Sequence, residues 1–103
     1  MIRVKVYKEN QKIIKITFRG HAEYDVLGKD IVCAASSATI LTSINGILSI
    51  DETAIEVKEK NNNIDIKIIK DNEIAMLLIN NMLNSLKSIE QNYPKNIEIK
   101  EEE

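Results

Sequence analysis

The run GHAEYDVLGKDIVCAASS, residues 20 to 37, separates two regimes of the chain, and its reading decides the fold. Upstream of it apolar and polar residues alternate. Downstream, Ile31 to Ile50 carries no charged residue and reads as a buried helix. The run also holds the only histidine, His21, and the only cysteine, Cys33. Asp30 has the chemistry of a helix N-cap, which places Cys33 in the first helical turn. There the unpaired amide N–H groups and the positive end of the helix dipole favour thiolate, the nucleophilic form of cysteine. His21, at the far side of a loop bounded by Gly20 and Gly28, can reach the thiol as proton acceptor and later donor.

Working outward, Ile2, Val4 and Val6 alternate with Arg3 and Lys5, the period of a strand with one buried face. Ile14, Ile16 and Phe18 alternate with Lys15, Thr17 and Arg19, so the two runs form an antiparallel hairpin that Gly20 ends. In the helix, Cys33, Ser37, Ile40, Ile44 and Ile47 define one face, and Ala34, Ala38, Leu41, Asn45 and Leu48 a neighbouring one. Both need cover, which places such a helix centrally or against a partner subunit. A second hairpin follows, with Ile55 and Val57 in one arm and Ile64, Ile66 and Ile68 in the other. From Asn72 a broad helical stripe runs through Ala75, Leu78, Ile79, Met82, Leu83, Leu86 and Ile89, and stops before Tyr93-Pro94 because the residue preceding proline is pushed out of the helical region. Ile97 and Ile99 mark a short last strand, and Glu101 to Glu103 are expected to fray as an acidic tail. The order ββαββαβ predicts an α+β fold, a mostly antiparallel sheet packed with two helices, in a single domain over residues 1 to 100.

Composition narrows the function. The 103 residues have a formal net charge of -2 and interleave lysines with acids, so no basic stripe marks a nucleic-acid footprint. A single cysteine forms no intrachain disulfide, and no signal-peptide pattern opens the sequence, which fits the cytoplasm. The uncharged helix is long enough to cross a bilayer, but its serines, threonines and Asn45 make it too polar to be expected there. One Cys and one His, with only Glu23, Asp25 and Asp30 nearby, make a poor zinc set. No metal or other cofactor is expected. The ordinary roles of these residues stand beside the catalytic ones: a buried structural thiol for Cys33, a helix cap for Asp30, and for Ser37 a helix-packing hydroxyl or one bonded back to the preceding turn.

Gly20-His21-Ala22, followed by Gly28-Lys29-Asp30-Ile31-Val32-Cys33-Ala34 and by Ser37 four residues after the cysteine, resembles the signature of the ribosomal-processing cysteine protease family, Prp. Tyr93-Pro94 before the last strand is similar to the family's ending, and the resemblance spans essentially the whole chain. Ser36 departs from it, since the family more often has an aliphatic residue there. The resemblance implies a cytoplasmic, homodimeric peptidase that trims the N-terminal extension of the twenty-seventh protein of the large ribosomal subunit. It implies Cys33 as nucleophile, His21 as general base and acid, and Asp30 and Ser37 as supporting residues. The loop between the two glycines then becomes the substrate-binding loop, with Gly20, Ala22, Tyr24, Leu27 and Gly28, and is expected to close over the peptide. Two other classes stay open: a non-catalytic ribosome-associated binding protein, and another thiol-dependent hydrolase such as a thioesterase.

Overall fold

A computed structural model describes residues 1–20 and 27–103, with side chains described for all of these except 27–30. Its elements are β1 (Ile2–Glu9), β2 (Lys12–Arg19), α1 (Leu27–Ile50), β3 (Ile55–Lys60), β4 (Asn63–Ile68), α2 (Glu73–Asn92) and β5 (Ile97–Glu102). The order ββαββαβ is the one expected. The five strands form one mixed sheet in the order β3-β4-β2-β1-β5. Three of its pairings are antiparallel, and the fourth, β1 with β5, is parallel.

Register explains why one face of this sheet is dry. Ile99, Val4, Phe18 and Ile64 fall in one row across β5, β1, β2 and β4, and Val6, Ile16, Ile66 and Val57 form a second row through to β3. Side chains at paired positions share a face, so each row is a continuous apolar band. Ile16 and Ile66 are wholly buried, and one core cluster joins these rows to both helices. The opposite face is charged, with Arg19 Nη1 2.7 Å from Asp65 Oδ1 across β2 and β4. The alignment departs from that of an ideal hydrogen bond, but the separation makes it an ion pair all the same. Both hairpins turn on residue pairs at positive φ, Asn10-Gln11 and Asn61-Asn62, the sign pattern of the tight turns that match strand twist.

The second helix is bounded as its sequence predicts. Asn72 Oδ1 accepts from the amides of Ile74 and Ala75, both at 3.0 Å, and the helix ends at Asn92, before Tyr93 and Pro94. Its stripe of Ala75, Ile79, Met82, Leu83 and Leu86 is buried. It packs on α1, where Gly46 faces Leu78.

Three expectations are corrected. The first helix begins at Leu27 rather than after an N-cap at Asp30, so Asp30 lies inside it, and Leu27 and Gly28 are helical rather than part of a loop. A single glycine weighs only about 1 kcal/mol against a helix, and each residue added to an existing helix gains a backbone hydrogen bond. Second, α1 buries one stripe only, Val32, Ser36, Ile40, Ile44 and Ile47, and Ser37 lies outside it, exposed. Third, β5 runs through Glu102, with Glu101 and Glu102 paired to Val6 and Tyr7. Lys8 Nζ meets Glu101 at 3.1 Å, and Lys5 Nζ meets Glu102 at 3.7 Å, so the acidic residues are held by β1 rather than frayed.

Candidate active site

Cys33 is half-buried on α1 and opens onto a cavity of about 220 Å³ between that helix and the sheet. The apolar walls come from Ile2 of β1, Phe18 of β2, Ile64 of β4 and Ile40 of α1. Ser36, Ser37 and Leu41 continue the helix side, while Gly20, Glu59 and Asn62 close the end where β2 meets the β3–β4 turn. Elements distant in sequence therefore meet at the thiol because the strand order puts β1, β2 and β4 side by side.

Two backbone features hold that end in place. Gly20 has φ of +79°, and a Cβ built there would lie 2.6 Å from the carbonyl oxygen of Met1, so only glycine fits. Its N–H reaches Asn63 Oδ1 at 3.4 Å. Arg19 Nη1 donates to the carbonyls of Phe18 and Ile64 at 3.1 and 3.4 Å, tying β2 to β4 beneath the cavity. The Arg19 guanidinium, 2.7 Å from Asp65 Oδ1 and attracting its charge, holds that carboxyl below the usual aspartate range against the opposing effect of burial.

Of the residues singled out from sequence, Cys33, Ser37 and Gly20 are brought to one cavity. His21, Ala22 and Tyr24 lie outside the described residues, as does the proposed closure of their loop. Asp30, Leu27 and Gly28 are placed by their backbone alone, in the first turn of α1. The start at Leu27 puts Cys33 in the second turn, and its own amide falls within the i to i−4 ladder. The first-turn amides belong to residues 27 to 30, so the helix-start chemistry expected at Cys33 lies one turn away.

Sequence reading missed Ser36. It is 1% exposed, lines the cavity, and its Oγ has no hydrogen-bond partner among the described residues. Three other hydroxyls of α1 bond within the helix: Thr39, Ser43 and Ser49 donate to the carbonyls four residues earlier, at 2.7 to 2.8 Å. The signal that could have found it was its position three residues after Cys33, which on a helix is the same face. Phe18, Ile2 and Ile64 were legible as core, but not as cavity walls.

Comparison with known proteins gives the chain a class. The family described as Cysteine protease Prp matches residues 1–98. The ribosomal processing cysteine protease Prp of Staphylococcus aureus (strain Mu50 / ATCC 700699) is 31% identical over 103 residues, covering 96% of this chain and 97% of the relative. A crystal structure of the S. aureus protease with a covalently linked product peptide superposes with a TM-score of 0.89 at 30% identity, covering 99% of this chain and all of the other. The same protease with a substrate peptide gives 0.90 at 28% identity, with the same coverage. The α+β frame that carries this half-buried thiol and its cavity is thus that of a cysteine protease. The chain belongs to the Prp family of ribosomal-processing proteases.

Proposed function

We propose that the chain removes the N-terminal extension of the twenty-seventh protein of the large ribosomal subunit, in the cytoplasm, by acyl transfer through Cys33. The observation that carries this reading is the Cys33 thiol standing over a cavity of peptide side-chain size. The S. aureus relative bound to a substrate peptide, and to a covalently linked product peptide, supports a covalent route.

In this reading His21 takes the thiol proton as Sγ bonds to the scissile carbonyl carbon. As the tetrahedral adduct collapses, the C–N bond breaks and His21 protonates the leaving amine. Water then gives a proton to His21 and its oxygen adds to the thioester carbonyl. The C–S bond breaks, the thiol recovers its proton, and the extension leaves as a carboxylate. With Cys33 one turn inside α1, His21 rather than the helix terminus is the principal activating group. Asp30 and Ser37 act in support, Ser37 from the cavity wall. Tyr24 and its neighbours in residues 20–28 contact the substrate.

The test incubates the purified precursor with the wild type, Cys33→Ala and His21→Ala, and reads the product by intact mass. The expected result is loss of the extension with wild type only, each variant falling by at least about 10³-fold. Cleavage by Cys33→Ala at the wild-type rate overturns the assignment, and an intact precursor with all three proteins overturns the substrate. Thioester turnover without peptide cleavage would transfer the site to another hydrolase class.

A further inference from the structure

We propose that the open face of the sheet, the one turned away from both helices, is a docking surface for single-stranded RNA. Strand register sets like charges directly opposite one another there: Arg3 faces Arg19, Lys5 faces Lys100, and Lys15 faces Lys67. Like charges so placed destabilise a sheet. Four carboxylates relieve the repulsion in part, with Glu102 at Lys5, Asp65 at Arg19, Glu56 at Lys58 and Glu98 at Lys100, at 2.7 to 3.7 Å. Arg3, Lys15, Lys60 and Lys67 are exposed and form no ion pair among the described residues. A sequence breaks a local rule of this kind where function requires it. The anion that would settle these four cations has to come from a partner.

Charge is segregated as well as crowded. Of the 14 Lys and Arg and 16 Asp and Glu residues, nine and five fall on this face by strand alternation, counting Lys12 and Glu9 at the β1–β2 turn, which leaves five and eleven for the rest of the chain. Along the sequence lysines and acids interleave, and only strand pairing gathers the cations into one patch. Two hollows of about 470 Å³ each adjoin at Lys58 and Asp65, one reaching Arg19 and Lys60, the other Lys15 and Lys67. Tyr7 lies half-buried in the same cross-strand row as Lys15 and Lys67, with Lys15 Nζ 5.9 Å from its ring centre. Cations that follow a phosphate backbone, beside an aromatic face on which a base stacks, are how a sheet holds single-stranded nucleic acid. An acidic peptide would answer the charge and leave the ring unused. The family acts in ribosomal processing, where the abundant polyanion is RNA. Cys33 and its cavity lie on the helix side of the sheet, so RNA held on the open face leaves the thiol accessible to a peptide.

The experiment follows the fluorescence anisotropy of a labelled single-stranded RNA of about 16 nucleotides as the full chain is added. Wild-type binding is expected to weaken by about 50-fold between about 50 and 200 mM salt, the fall for four phosphates neutralised on a single strand. With Lys15→Gln and Lys67→Gln together, the salt slope drops by about half, while the urea midpoint holds or rises because the opposed lysines are gone. Tyr7→Leu keeps the slope and weakens binding about tenfold. Lys87→Gln with Lys95→Gln, which removes two cations off the sheet, matches the wild type. Cys33→Ala binds RNA as the wild type does, so the peptidase assignment and this one fail separately. An absence of binding at the lower salt concentration, or an unaltered slope in the Lys15 and Lys67 double variant, overturns the inference. A glutamate peptide of equal charge binding as tightly as the RNA would overturn it in favour of an acidic protein, and vesicles of anionic phospholipid doing so would overturn it in favour of a membrane.

Discussion

Gly20 ties the end of β2 to the start of β1 by having no side chain. Any Cβ at its φ of +79° would press on the Met1 carbonyl at 2.6 Å, a backbone atom that cannot swing aside. Gly20→Ala is therefore expected to destabilise the fold by about 1–3 kcal/mol, read as a lower urea midpoint. Asp65 makes a second residue-level prediction, in pH. Its folded pKa lies below the unfolded value of about 3.9, so the unfolded chain binds the proton more readily. The Arg19–Asp65 contribution is then complete above that unfolded value and is lost as pH falls through the lower folded one. Asp65→Asn should flatten the acid limb of a stability–pH curve and leave part of the slope, since hydrogen bonds from Thr53 hold the Asp51 carboxyl low as well. An unchanged acid limb would show that the pair contributes nothing measurable.

At the scale of elements, α2 offers the cleanest test of a local signal. Asn72→Ala removes the acceptor for two first-turn amides and is expected to cost about 1 kcal/mol, roughly 4–8 °C in Tm for a domain of this size. An unaltered Tm would mean that tertiary packing alone fixes that end. The same cap shows why α2 was legible: Asn72, an amphipathic stripe and Tyr93-Pro94 all mark one pair of boundaries. In α1 the cues conflict. Gly28 and Asp30 read as a boundary, yet the helix runs through them, and apolar and hydroxyl residues surround it so evenly that the period could not choose the buried stripe. Hence Ser37 was assigned to a face that Ser36 occupies. Strand positions were plain from alternation, whereas strand order was not, because the alternating apolar residues of β3 (Ile55, Val57) and β4 (Ile64, Ile66, Ile68) suit either neighbour of β2. The cavity inherits that limit. Cys33 was visible in the sequence, but its walls depend on which strands lie together.

For the whole molecule, the side of α1 turned from the core is the informative surface. Ile31 and Leu41 are 56% and 46% exposed, and Ala34, Ala38 and Asn45 lie exposed between or beyond them on the same stripe. An uncharged helical stripe of this kind fits a second copy of itself about a two-fold axis. Light scattering at micromolar concentration is expected to return the dimer mass for wild type and the monomer mass for Ala38→Glu, with a wild-type monomer contradicting the pairing. The parallel pairing of β1 with β5 has a different consequence, one of timing. Ile2 lies beside Ile97, so the strand made among the first must wait for the strand made among the last. Contacts of such sequence separation slow folding, because the chain entropy of closing so long a loop is lost before any contact rewards it. During synthesis the β1–β2 hairpin emerges with both edges bare, and the β1 edge stays bare until β5 has been translated. A member of a ribosomal-processing protease family thus acquires its finished sheet only after its fifth strand has left the ribosome.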